Sequence, residues 1–201
     1  MRKFLSIILF FTTLAAFAQT PVSVLDKAVS VLKSSGTVTA SYSVVAKAGT
    51  GSGTIAMSGV KYRILAHGMK SWYDGKTQWS YSTATGEVDI TNPTASDLEM
   101  TNPYAAAQSF KTNFNMWKAR TQLPGSYTIK LMPKKKSNIK QILLYISTKS
   151  YQIQKAKFEM SDNSVYLIAI SNYKTHVNLP VSTFTFDKSL VPKGTQVVDL
   201  R

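Results

Sequence analysis

Residues 78–83, QWSYST, alternate polar and aromatic, and the same period of two returns along most of the chain. A strand with one buried face needs that period, because successive side chains point to opposite sides of a sheet. SYSVVAKA (41–48) sets Tyr42, Val44 and Ala46 on one side, and TIAMSGVKYRILAHG (54–68) does the same with Tyr62, Ile64 and Ala66. YTIKLMP (127–133), IKQILLYIS (139–147), 151–160 and 165–170 continue the pattern, and 176–187 ends it with Phe184 and Phe186 on one face. Turn signals divide these runs: GTGSG (49–53), Asp74-Gly75, Thr85-Gly86, KKKSN (134–138) and SDNS (161–164). Asp74-Gly75 reads as a two-residue type I′ turn, and GTGSG as a flexible hairpin connection. The spacing therefore predicts one strongly curved antiparallel sheet of roughly nine or ten strands. QILLYIS (141–147) and VYLIAIS (165–171) are apolar on both faces, which calls for cover on both sides of the sheet there.

Two segments depart from period two. PVSVLDKAVSVLK (21–33) repeats apolar residues at Val24/Leu25, Ala28/Val29 and Leu32, with Ser23, Asp26, Lys27, Ser30 and Lys33 on the other side. That is an amphipathic helix, and Gly36 is placed to stop it. A second helix is predicted to start at Asn102-Pro103, an N-cap followed by a first helical residue. Ala107, Phe110, Phe114 and Trp117 then fall at three- and four-residue spacing, giving this helix an aromatic face.

The chain opens MRKFLSIILFFTTLAAFAQ, a short basic head, an apolar run and an A-x-A end. This order predicts a secretory signal, residues 1–18, cleaved after Ala18, and one mature domain over 19–201. The run is too short to be read as a membrane span. There is no Cys, hence no disulfide framework, no thiolate metal site and no acceptor for an N-terminal lipid. With 44% hydrophobic and 17% charged residues, the composition is that of a packed globule. Lys and Arg number 24 against 10 Asp and Glu. In an exported protein that excess is expected to meet lipid headgroups or acidic proteins rather than nucleic acid, or to keep sheet edges soluble.

Catalytic patterns are missing. His67 and His176 stand alone, and neither a metal-binding H-E-x-x-H, a nucleophile elbow nor a phosphate loop occurs. The few acidic residues sit largely in turns, as Asp74 and Asp162 do, where Asp is favoured for structural reasons. The expectation is a non-enzymatic binding protein with no catalytic residues, no metal and no cofactor.

Taken in order, several motifs resemble one family, the periplasmic outer-membrane lipoprotein carriers of the LolA type. Asp74-Gly75-Lys76-Thr77-Gln78-Trp79-Ser80-Tyr81 is similar to that family's D-G-K-T-x-W-x-Y hairpin. Leu131-Met132-Pro133-Lys134 resembles its L-x-P-K strand end, and Asp162-Asn163 falls at a late turn that the family also has. Phe184-Thr185-Phe186, Val191-Pro192-Lys193-Gly194 and Val197-Val198-Asp199 resemble its closing F-x-F and P-x-G-x-x-V-x-D segments. The resemblance implies an incomplete, half-open antiparallel β-barrel, mainly β with inserted helices that lid an apolar cavity. It implies a soluble periplasmic carrier of lipoprotein acyl chains, loaded by an inner-membrane lipoprotein-releasing transporter and unloaded to an outer-membrane acceptor. It would act as a monomer without stable membrane insertion. The expected lining is Trp79 and Tyr81 on the hairpin, Tyr62 and Ile64 before it, Phe110, Phe114 and Trp117 on the second helix, and Val24, Leu25 and Leu32 on the first. Gln78, Ser80 and Ser82 are expected to face away from it. Where the family carries an Arg-Pro pair that holds the lid, this chain has Ser58-Gly59, and Arg63 is the candidate latch. The same fold also suits a binder of free lipid or a sensor of misplaced lipoproteins, since a fold alone does not fix a function.

Overall fold

The structure is a computed structural model that describes residues 19–99, 101–120 and 123–201; the expected signal segment lies outside them. Helix α1 spans Pro21–Ser34 and opens as the sequence predicts. The Thr20 hydroxyl accepts from Ser23 N–H at 3.1 Å, Pro21 occupies the first turn, and Gly36 takes φ +61° just past the end. Six strands follow in a meander: β1 (Thr37–Ala46), β2 (Gly49–Ser58), β3 (Lys61–Ala66), β4 (Met69–Tyr73), β5 (Gln78–Ser82) and β6 (Glu87–Thr91). Two helices come next, the short α2 (Ala95–Leu98) and α3 (Pro103–Asn113). The Asn102 carboxamide oxygen accepts from the N–H groups of Tyr104 and Ala105, so the predicted N-cap of α3 forms. The chain then returns to strands β7 (Phe114–Ala119), β8 (Ser126–Pro133), β9 (Ile139–Ser147), β10 (Ile153–Met160) and β11 (Val165–Lys174), and ends in β12 (Gln196–Asp199).

Among the described residues all twelve strands join one open sheet in the order β12-β6-β5-β4-β3-β2-β1-β11-β10-β9-β8-β7. β1 pairs with β11, so the two meanders meet in the middle, and the sheet leaves β7 and β12 as free edges instead of closing. It is mainly β with inserted helices, as expected, though one pairing departs from antiparallel: β12 runs parallel to β6. That pairing is reached by residues 176–195, which hold two 3₁₀ turns, Val181–Phe184 and Lys188–Leu190, in place of the predicted strand over 176–187. Pro180 and Pro192 withhold backbone donors from any ladder there.

Three other local expectations are corrected. GTGSG is not a hairpin loop; it is the first half of β2, paired along its length with Tyr42 to Ala46 of β1. Gly53 stands opposite Tyr42, whose ring lies so close that a Cβ there would sit 2.6 Å from the hydroxyl and 2.4 Å from Leu65 O. Asp74-Gly75 belongs to a four-residue connection, 74–77, in which the Asp74 carboxylate accepts from Lys76 and Thr77 N–H at 2.8 Å each. Finally, β11 is not covered on both faces: Val165 and Tyr166 are exposed.

Three apolar clusters hold the sheet. On the inner face, Val24, Leu25 and Ala28 of α1 and Ala107 of α3 pack on Phe114, Ile129, Leu131, Ile142, Leu144 and Ile146. Beside it, Val38, Met57, Tyr62, Ile64 and Tyr73 form a second cluster under Leu32, Leu98 and Tyr104. The third lies on the outer face, where Trp72, Tyr81 and Val88 are covered by Val191 and Phe186 of the C-terminal segment. Each large side chain so buried contributes about 1.5–3 kcal/mol.

Candidate functional site: an apolar cavity under the helices

The register decides which side chains reach the inner face. Tyr62 pairs with Tyr73 and Tyr73 with Gln78, so these three share a side, and the Tyr62 hydroxyl donates to Gln78 Oε1 at 2.9 Å. Arg63 pairs with Trp72, Trp72 with Trp79, and Lys70 with Tyr81, so these point to the opposite side. The helices cover the first side and the C-terminal segment the second. Trp79 and Tyr81 thus face away from the helices, and Gln78 and Ser80 face toward them, the reverse of the sequence expectation. The Trp72 and Phe186 rings are 5.5 Å apart, and this aromatic set is packing for the C-terminal strap.

Between α1, α3 and the inner face lies a cavity of about 230 Å³. Leu25, Ala28, Val29, Val31 and Leu32 of α1 form one wall, and Pro103, Ala106, Ala107 and Phe110 of α3 another. Its floor is Val38 and Ala40 of β1, Ile55 and Met57 of β2, Leu144 of β9, Ile153 and Ala156 of β10, and Ile170 and Tyr173 of β11. Burial holds the Tyr173 phenol above its ordinary pKa, partly offset by a hydrogen bond with Ser35. The cavity does not end in a wall of charge. Pairing of Tyr42 with Ile170, Val44 with Ile168 and Ala46 with Tyr166, and of Phe158 with Tyr166, carries the same face beyond the helices as a half-buried to exposed apolar strip. Two other depressions, at Thr39, Ser41 and Asn172 and at Gln78, Asn92 and Arg201, are lined mostly by polar residues.

The predicted lining residues separate into four groups. Leu25, Leu32 and Phe110 line the cavity. Val24 and Phe114 are core beside it, Phe114 meeting Phe110 edge-on at 5.5 Å. Tyr62 and Ile64 are on the same inner face within the neighbouring cluster. Trp79, Tyr81 and Trp117 are elsewhere. Trp117 is on strand β7 opposite Lys130, with Phe114 and Met116 alternating against it, and is 47% exposed; it does not belong to a helix. The floor residues Val38 and Ala40 extend the Tyr42/Val44/Ala46 alternation backward, so reading that strand two turns of the pleat earlier would have found them.

The model of the family described as "Outer membrane lipoprotein carrier protein LolA" matches residues 11–162. The chain belongs to this family. No curated protein matches the sequence. Among solved structures, an uncharacterized conserved protein from Thermus thermophilus is similar at 14% identity and a TM-score of 0.62, over 88% of this chain and 96% of that one. A putative outer membrane lipoprotein-sorting protein domain from Vibrio parahaemolyticus shares 10% identity over 82% of this chain and 96% of its own, TM-score 0.49. The MucA/MucB complex of Pseudomonas aeruginosa matches at 8% identity, covering 83% of this chain and 61% of that one, TM-score 0.48. At these identities the likeness concerns the fold.

In this LolA-family chain the latch expected at Arg63 is not built. Its side of β3 is the one that bears Trp72, away from the helices. What ties the helices down is mostly apolar, with one surface ion pair, Lys111 to Asp26 at 2.5 Å, joining α3 to α1. Lys134, in the basic turn after β8, donates from Nζ to Thr112 O at 2.7 Å, at the C-terminal end of α3 where a cation suits the helix dipole. Among the described residues no helix is long and apolar enough to cross a membrane, and no group of His, Cys, Asp or Glu is placed to hold a metal.

Proposed function

We propose that this protein is a soluble, non-enzymatic periplasmic carrier that shelters the acyl chains of lipoproteins under α1 and α3 and ferries them from the inner to the outer membrane. One observation carries the reading: an apolar cavity roofed by two amphipathic helices, continuous with an uncovered apolar strip on the same face. Acyl chains need area withdrawn from water, about 0.8 kcal/mol per methylene, and few directed polar contacts. A volume of about 230 Å³ is small beside the ~300–1,000 Å³ of typical ligand sites. A long chain must therefore run out of the cavity along Val44, Ile168 and Phe158, or lift the helices. Membership in a family described as outer membrane lipoprotein carriers supports this cargo class. A releasing transporter on one membrane and an acceptor on the other are the partners such a carrier requires.

The test is a pull-down of one labelled lipoprotein, acylated and non-acylated, by the mature protein. Recovery of the acylated form alone is expected. Equal recovery of both would remove the acyl-carrier reading.

A further inference from the structure

One of the cavity-lining residues carries a formal charge, and it is an acid in a chain whose formal charge is +14. Glu99 closes α2 and faces the cavity near the start of α3, beside Thr101 and Asn102. Glu99 Oε2 accepts from the hydroxyl of buried Ser109 at 2.7 Å, and Asn113 Nδ2 donates to that same hydroxyl oxygen at 3.2 Å. The carboxylate is thus held in place by α3. Among the described residues it meets no Lys or Arg, and its Oε1 takes part in no hydrogen bond. The two polar side chains next to it in sequence are already committed. Asn102 accepts twice from the α3 backbone and donates to Val60 O, and Thr101 donates to Leu98 O.

A half-buried carboxylate with one uncommitted oxygen at the edge of an apolar cavity is placed to accept charge-assisted hydrogen bonds from a cationic group there. We propose that Glu99 is the headgroup site of this cavity and selects amphiphiles that carry a protonated amine next to their acyl chain. The inference rests on the acyl-chain reading above. An ammonium donates charge-assisted hydrogen bonds to the free oxygen, and a carboxylate-headed or phosphate-headed chain would be repelled. Two sources supply an amine of this chemistry: the free α-amine of a diacylated protein N-terminus, and an aminolipid headgroup.

Calorimetric titration of the mature protein at pH 7 with dodecylamine, dodecanol and dodecanoic acid, each below its micellar concentration, tests this. The amine is expected to bind about tenfold tighter than the alcohol, and the acid more weakly than either. Glu99→Gln keeps an acceptor for Ser109 and should equalise amine and alcohol while leaving the alcohol unchanged. Equal binding of amine and alcohol by the unmodified protein, or an amine preference that survives in E99Q, overturns the proposal and leaves the cavity reading standing. Failure of all three to bind overturns both. The unmodified protein decides alone should E99Q not fold. A diacyl lipopeptide with a free α-amine against its N-acylated form, and lysophosphatidylethanolamine against lysophosphatidylglycerol, assign the amine to protein or to lipid.

Discussion

Replacing Leu25 by Ala should lower stability by about 2–3 kcal/mol. Leu25 is 1% exposed and packs in the largest inner cluster, so truncation removes three carbons from buried apolar packing. Buried Leu→Ala changes cost about 2–5 kcal/mol, with the larger values where a new void opens in tight packing. Leu25 already borders a cavity, so part of its surface has no packing partner to lose, and the low end of the range applies. For a domain of this size each kcal/mol moves the melting temperature by about 2–4 °C, which gives a fall of about 4–12 °C. Scanning calorimetry of L25A beside Val22→Ala is the assay. Val22 is on the same helix but 43% exposed, and its loss should shift the midpoint by less than about 2 °C. The enlarged cavity should also make L25A gain more from added tetradecanol than the unmodified protein does, because a ligand stabilises in proportion to its binding to the folded state. If V22A loses as much as L25A, or L25A loses less than about 2 °C, α1 does not seat its Val24/Leu25 face on the sheet.

Other outcomes follow from single contacts. Gly53→Ala should destabilise by about 1–3 kcal/mol in chemical denaturation, because the added carbon meets Leu65 O and the Tyr42 ring; a neutral result would mean the strand shifts freely. Removing the Lys111–Asp26 pair by Lys111→Met should cost at most about 1 kcal/mol, since both partners are more than a third exposed; a larger loss would make it a true latch of the helices. Donation from the Arg201 side chain and backbone lowers the Asp199 pKa to about 2. Any stabilisation from this pair is therefore present above the ordinary carboxylate range and fades as pH falls through about 2. An NMR titration of the Asp199 side chain with a midpoint near the ordinary value of about 4 would show the pair is not formed.

The start of each long helix, the β3–β6 meander and the lack of disulfides are legible in the sequence, since Thr20, Pro21, Asn102, Pro103 and the alternation at 78–83 act locally. The inner and outer faces are not legible from that alternation. A row of aromatics at period two looks the same whether helices or a C-terminal strap cover it, and in β4 and β5 both faces are covered. Gln78 and Ser80 read as a solvent side because they are polar, yet Gln78 is the acceptor for Tyr62 on the helix side. The signal for the other answer is long-range: Phe184-Thr185-Phe186 needs an apolar platform, and Trp72 opposite Trp79 supplies one. Trp117 fails for a different reason. Phe110 and Phe114 satisfy helical spacing across a boundary, while Phe114, Met116 and Lys118 satisfy strand spacing, and pairing with β8 settles residues 114–119 as strand.

The central claim is that cargo chains lie under α1 and α3, against the face that carries Val38, Met57 and Ile170. A fatty acid bearing a photoreactive diazirine in its tail, bound and irradiated, reports that position directly by mass spectrometry of the adducts. Adducts on Leu25, Leu32, Phe110 and Ile170, competed away by acylated lipoprotein, are the predicted result. Adducts concentrated on Trp79, Tyr81 or Trp117, on the far side of the sheet, would contradict it.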